Sequence, residues 1–122
     1  MARPIVCVVD DDESVREALP DLLGEFGFAS DAFASAEAFL ASTQIERASC
    51  LILDVAMPGM TGPELHLELK RRGHGVPVIF ITAHTDPAVL PRLIEQGAVA
   101  CLIKPFSDTA LFEAVTLALA SK

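Results

Sequence analysis

Basic residues are scarce in this chain. Nine Lys and Arg stand against 17 Asp and Glu, for a net charge of −8. Nucleic acid and anionic lipid both call for a basic face, so no direct binding to nucleic acid or to a membrane is expected. The one basic cluster, Lys70-Arg71-Arg72, suits the last turn of a helix, where cations complement the helix dipole. Long hydrophobic runs are also missing. None reaches the about 18 residues needed to span a bilayer. The opening "MARPIVCVVDDDE" runs into four acids where a secretory leader would carry a small-residue cleavage site. A soluble, cytoplasmic protein is the expectation. Cysteine is limited to Cys7, Cys50 and Cys101, widely spaced and each at or beside an apolar run. That pattern points to buried free thiols rather than disulfides, and the lack of a CxxC or His–Cys cluster argues against zinc. Linkers, repeats and low-complexity segments are absent, so residues 1–122 read as a single domain.

What is present is apolar and periodic. The chain is 52% hydrophobic with mean hydropathy +0.45, ample for a packed core. Four short runs, "IVCVV" (5–9), "CLILD" (50–54), "PVIFIT" (77–82) and "ACLI" (100–103), are nearly continuous and rich in Val and Ile. Such runs fit strands buried on both faces. "FASDAF" (28–33) is a weaker strand nearer an edge.

Helical segments lie between the runs. Residues 13–26 put Val15, Leu19, Leu22, Leu23 and Phe26 on one face, with a kink expected at Pro20. Ser35 can cap a helix reaching about Thr43. "GPELHLELKRRG" is ambiguous, because Leu65, Leu67 and Leu69 alternate as in a strand. Pro63 in a first turn and Gly73 as a stop decide for helix. A fourth helix is expected to start at Pro87 or Pro91 and stop before Gly97, and a fifth to run from Asp108 to the end. Strands alternating with helices through short connections predict an α/β fold with a doubly wound, five-stranded parallel sheet. Ligands of such sheets bind at the carboxyl ends of the strands.

The central runs end in polar groups that this topology gathers on one rim: Asp10 to Asp12, then Asp54, Thr82 and Lys104. Crowded carboxylates repel one another unless a cation is present. A hard divalent ion, typically Mg²⁺, suits them, and a nearby amine and hydroxyl suit an anion. Together these groups describe a phosphoryl-transfer site in which an Asp carboxylate can be the nucleophile.

In order and spacing, "VVDDDESVR", "LILDVAMPGMTG", "VIFITAH" and "LIKPF" resemble the receiver domain of two-component response regulators. The likeness covers the whole chain, and "SAEAFLA", "ITAH" and "GAV" are in the style of FixJ-type receivers. It implies the flavodoxin-like, CheY-like strand order 2-1-3-4-5, which the handedness and order of that family supply. At matching positions it implies Asp54 as phospho-acceptor and Asp11 as direct Mg²⁺ ligand. Asp10 would act on the metal through water, and Ala56 would ligate it by its backbone carbonyl. Lys104 would pair with Asp54 or its phosphate, Thr82 would be the switch hydroxyl, and Pro105 would complete a Lys-Pro pair that is usually cis. The implied donor is a histidine kinase or a histidine phosphotransfer protein. The implied output is a downstream protein effector or an attached output domain. Pairing through the fourth-helix face on phosphorylation is also implied, giving a phosphorylation-dependent dimer. Such a domain is no dedicated enzyme, although it catalyses its own phosphorylation and slow dephosphorylation.

Other polar residues read more simply. Asp12 and Glu13 are helix-entry acids, Met57 and Met60 are packing and loop residues, and His66 and His74 are exposed. His84 lies near enough to overhang the pocket, but a role for it is not expected. Three departures from the family pattern stand out. Cys101 replaces an aromatic residue that usually couples to the switch hydroxyl, so it leaves the switch without its usual partner. Pro20 falls in the first helix, and Pro87 and Pro91 fall near the fourth, which predicts an altered fourth-helix region. The chain stops after its fifth helix. A stand-alone regulator or shuttle, and a piece of a longer transcription factor or hybrid kinase, both fit. No attached helix-turn-helix is expected. A metal-dependent phosphatase would need an acid where Ala56 stands. A phosphate-independent binding module would not need to crowd its carboxylates.

Overall fold

A computed structural model describes residues 3–83 and 88–120. Its elements follow the alternation in order. They are β1 (Ile5–Val9), α1 (Glu13–Glu25), β2 (Ala29–Phe33), α2 (Ala36–Leu40), a 3-10 turn (Thr43–Glu46) and β3 (Cys50–Asp54). Then come α3 (Gly62–Arg71), β4 (Val78–Thr82), α4 (Val89–Glu95), β5 (Ala100–Ile103) and α5 (Asp108–Ala120). The strands form one parallel sheet in the order β2-β1-β3-β4-β5. The register sets Val9 beside Leu53, Asp54 beside Ile81 and Thr82 beside Ile103.

The strand period of two sorts the core onto two faces. Cys7, Val9, Leu51, Leu53 and Phe80 point to one face, under Phe39 of α2, Leu65 and Leu69 of α3 and Leu93 of α4. Val6, Val8, Cys50, Ile52, Ile79 and Ile81 point to the other, under Leu19 and Leu23 of α1 and Leu111 and Val115 of α5. Both faces are covered, which is why the central runs are apolar up to their last residues. β2 and β5 lie at the edges and are only half-buried.

The helix expectations hold with corrections. α1 runs through Pro20 as one unbroken segment. The ring denies the Arg16 carbonyl its helical donor, but Leu19 and Leu23, buried either side of it, keep the helix on the sheet. Ser35 caps α2 by accepting from the Ala38 N–H, yet the helix stops at Leu40 rather than near Thr43. There the Ser42 hydroxyl donates to the Phe39 carbonyl at 2.7 Å and then caps the 3-10 turn. α3 is a helix with a Thr61–Glu64 capping box. Leu65 and Leu69 are buried and Leu67 is 52% exposed, so the period is 3.6 and not two.

α4 begins at Val89, at neither expected proline. Pro91 sits within its first turn, where no N–H is required, and the helix spans seven residues. Pro87, like His84, lies outside the described residues. His66 is a further correction: it is 4% exposed and stacks edge-on against Phe80 with ring centroids 5.7 Å apart. His74 is half-buried. Cys7 and Cys50 are fully buried and in no disulfide, and burial, with Asp31 nearby, pushes Cys7 up to about 12.

Candidate functional site

The acids meet because two adjacent strands end at the same level. Asp10 directly follows β1 and stays in the sheet by donating its N–H to the Phe33 carbonyl at 3.1 Å. Its side chain is fully buried, with Oδ1 accepting from the Asp12 N–H at 2.9 Å. Asp11 is exposed, on the solvent side of the same turn. Asp12 caps α1 by accepting from the Ser14 N–H, a structural task, as its sequence reading held. Asp54 is the last residue of β3 and 6% exposed, and its Oδ1 accepts weakly from the Ala56 N–H at 3.4 Å. Carboxylate oxygens of Asp10, Asp11 and Asp54 all lie within 4.8 Å of one another, a donor set fit for one hard divalent cation.

Lys104 closes the rim from β5. Its N–H donates to the Thr82 carbonyl at 2.8 Å, which ties the chain past β5 to the end of β4, and the Lys104–Pro105 bond is cis. The amine lies 3.0 Å from Asp10 Oδ2 and 3.9 Å from Asp54 Oδ1, so its nearer partner is Asp10. Thr82, at the end of β4, is 2% exposed. Cys101 is half-buried, pairs with Phe80 across the sheet and packs into the same core face.

The electrostatics follow from this crowding. Burial, then the Asp10 charge, push Asp54 up to about 7, against the opposing pull of Lys104. Burial alone would lower the Lys104 amine. The Asp10 hydrogen bond and charge outweigh it, with help from Asp54 and Asp12, and hold the amine above its ordinary value. A cation among the carboxylates would relieve the repulsion that raises Asp54.

Three supporting residues escaped the sequence reading. Gly62 is packed so tightly that a Cβ there would fall 2.1 Å from the Asp54 carbonyl oxygen. The start of α3 can therefore lie directly on the acid's backbone only with glycine at that position. Arg16 reaches back from α1 to donate to the Asp10 carbonyl at 3.0 Å. Glu37 of α2 accepts from the Met60 N–H at 3.2 Å and steadies the loop after Asp54. Of the three, Gly62 stands out in the sequence only as a glycine beside Pro63, and nothing local marks its contact with Asp54.

A doubly wound α/β domain with an acidic pocket and a lysine at the carboxyl ends of its central strands is the architecture of a phosphate-handling switch domain. The family model for the response regulator receiver domain matches residues 6–116, and the chain belongs to that family. It is similar to Nodulation protein W of Bradyrhizobium diazoefficiens, 43% identical over 116 residues, covering 95% of this chain and 51% of that protein. Among solved structures, the response regulator StyR aligns at TM-score 0.90 and 44% identity, over 98% of this chain and 61% of that one. The crystal structure of FixJ-N aligns at TM-score 0.88 and 37% identity, over 100% of this chain and 98% of that one. The chain thus spans about half the length of the curated relatives it matches. It is a receiver domain of two-component response regulators, a family whose typical role is to accept a phosphoryl group and which is generally not made of dedicated enzymes. No described helix is long and apolar enough to cross a membrane.

Proposed function

We propose that Asp54 accepts a phosphoryl group from a phosphohistidine of a histidine kinase or a histidine phosphotransfer protein, and that the acyl phosphate resets the conformation of the domain. The observation that carries this reading is the buried Asp54 at a strand end, ringed by Asp10 and Asp11 and reached by Lys104. A carboxylate oxygen of Asp54 attacks phosphorus as the N–P bond breaks. The electron pair returns to the imidazole, which takes a proton from water. Water later attacks the phosphorus, the O–P bond breaks, and the Asp54 carboxylate and inorganic phosphate are released.

Asp11, Asp54 and the Ala56 carbonyl would hold Mg²⁺, with Asp10 acting through water, and the ion would supply charge neutralisation for the phosphoryl oxygens. Lys104 offers a second cation, and the Thr82 hydroxyl donates to a phosphoryl oxygen and so reads the modification. Pro105 holds the lysine at the rim. These contacts shift a pre-existing equilibrium between two conformations. With Cys101 in place of an aromatic residue, the shift passes through the α4 region rather than through a ring on β5. Residues 1–122 act as a single receiver domain in the cytoplasm, toward a protein effector, an attached output domain or a second phosphorylated copy.

Intact-protein mass after incubation with acetyl phosphate tests the reading. One added phosphoryl group that requires Mg²⁺ and is lost in Asp54→Asn is the expected result. An unmodified wild-type mass at every incubation time would sink it in favour of a phosphate-independent binding module.

A further inference from the structure

The end of the sheet opposite the acids carries a second polar hollow. It lies where the chain enters β4 and β5, beside the last turns of α3, and encloses about 220 Å³. Two of the chain's three histidines, His66 and His74, line it together with Lys70. Among the described residues no carboxylate lines it, although the chain carries a net charge of −8. Glu46 lies in a neighbouring hollow that shares His74, and Glu68 of α3 is held by Arg71 and Arg72.

The hollow has donors without acceptors. Lys70 Nζ gives one hydrogen to the Gln96 carbonyl, which leaves two. The side-chain nitrogen of Gln96 donates to the Pro63 carbonyl at 3.2 Å and lies 3.1 Å from His66 Nδ1. A carbonyl only accepts, so this Gln96 group is its NH₂, the Nδ1 facing it carries a lone pair, and the ring hydrogen is on Nε2. Burial, with the Lys70 charge adding, lowers His66 to about 4, so the ring is neutral and keeps that one hydrogen at neutral pH. His66 is 4% exposed, and among the described residues nothing accepts from its Nε2. The same holds for the backbone N–H groups of Gly75 and Val76, which also line the hollow. Glycine makes the room. A Cβ on Gly97 would meet Lys70 Nζ at 2.8 Å, whereas one on Gly75 would meet nothing within 4 Å.

We propose that this hollow binds a phosphate group, as inorganic phosphate or on a small phosphomonoester, through Lys70, the His66 Nε2–H and the N–H groups of Gly75 and Val76. An ammonium and N–H groups brought together from a helix and the loop after it suit oxygens that point in several directions, as on phosphate, better than the flat pair of a carboxylate. The site is at the opposite ends of the strands from Asp54 and does not depend on acceptance of a phosphoryl group there.

Two-dimensional ¹H–¹⁵N spectra of the metal-free chain in EDTA test it, with inorganic phosphate and glycerol phosphate titrated separately at constant ionic strength. Saturable shifts are expected at the Gly75, Val76, Gly97 and Val99 amides and at the His66 imidazole, with none at Asp10 to Asp12 or Asp54 to Ala56. The tighter of the two ligands identifies the source of the group, and equal affinities would mean that the phosphate group alone is read. Lys70→Gln removes an exposed charge outside the core and should weaken binding about tenfold, the loss of one charge-assisted hydrogen bond. Gly75→Asp sets a carboxylate where a side chain has room, at a backbone outside the left-handed region, and should abolish binding. Acetate should give no saturable shift. The proposal is overturned by an absence of saturable shifts with both phosphates, by shifts confined to the acidic rim, by equal shifts with acetate, or by affinity unchanged in both variants.

Discussion

Replacing Asp54 with Asn should stabilise the metal-free domain at neutral pH, by an amount that grows with pH. Burial and the Asp10 charge raise the Asp54 carboxyl from 3.8 to about 7 in the folded chain, so the folded state holds this proton more tightly than the unfolded state does. Below pH 3.8 the carboxyl is neutral in both states and the stability it favours is fully present. As pH rises from 3.8 to about 7 the unfolded chain ionises first, and stability falls until the folded carboxyl ionises as well. That interval corresponds to about 4 kcal/mol at most. The rim opens to solvent on the Asp11 side, and screening there reduces the expected effect to about 2 kcal/mol. Asn keeps the shape and never ionises, so the gap between variant and wild type isolates this one group. Urea unfolding of both proteins in EDTA, at pH values across the window, measures it. Mg²⁺ should close the gap by binding only the folded wild-type site. An Asn variant no more stable than wild type at neutral pH, or a gap that is flat with pH, would refute the electrostatic account.

Lys104→Ala leaves the fully buried Asp10 without its cation and should cost about 2 kcal/mol in EDTA, part of it recovered on adding Mg²⁺, as read by thermal unfolding. Gly62→Ala drives a methyl into the Asp54 carbonyl and should cost about 3 kcal/mol in urea unfolding. A neutral outcome would mean that α3 does not rest on that carbonyl. Leu65→Ala should cost about 3 kcal/mol by the same assay, and Leu67→Ala less than about 0.5 kcal/mol. Equal costs would contradict the helical face.

Much of the fold was legible because its signals are local. A central strand of a covered parallel sheet must be apolar along its length, and "IVCVV", "CLIL" and "VIFI" are, with Asp54 and Thr82 polar only at the strand ends. Pro63 and Gly73 outweighed the strand-like spacing of the leucines because starts and stops act within one turn. The misreadings share a cause. Just past α2, the Ser42 hydroxyl donates to the Phe39 carbonyl, an acceptor that a longer helix would use. His66 was read as exposed because a single histidine beside charged residues carries no mark of the Phe80 ring waiting beneath it.

The sequence by itself determined that acids, a hydroxyl and an amine stand at the ends of apolar runs, in an order and spacing that match the receiver family. Tertiary structure alone decided which of them touch. Lys104 sits closer to Asp10, 94 residues away, than to Asp54, because packing of β5 against β4 sets where its amine arrives. The glycine under Asp54, the arginine behind Asp10 and the hydrogen bond from the Gln96 side chain to the Pro63 carbonyl likewise depend on how layers stack. Propensities and periods act over a few residues, whereas these contacts join segments whose distance is set only when both faces of the sheet have been covered.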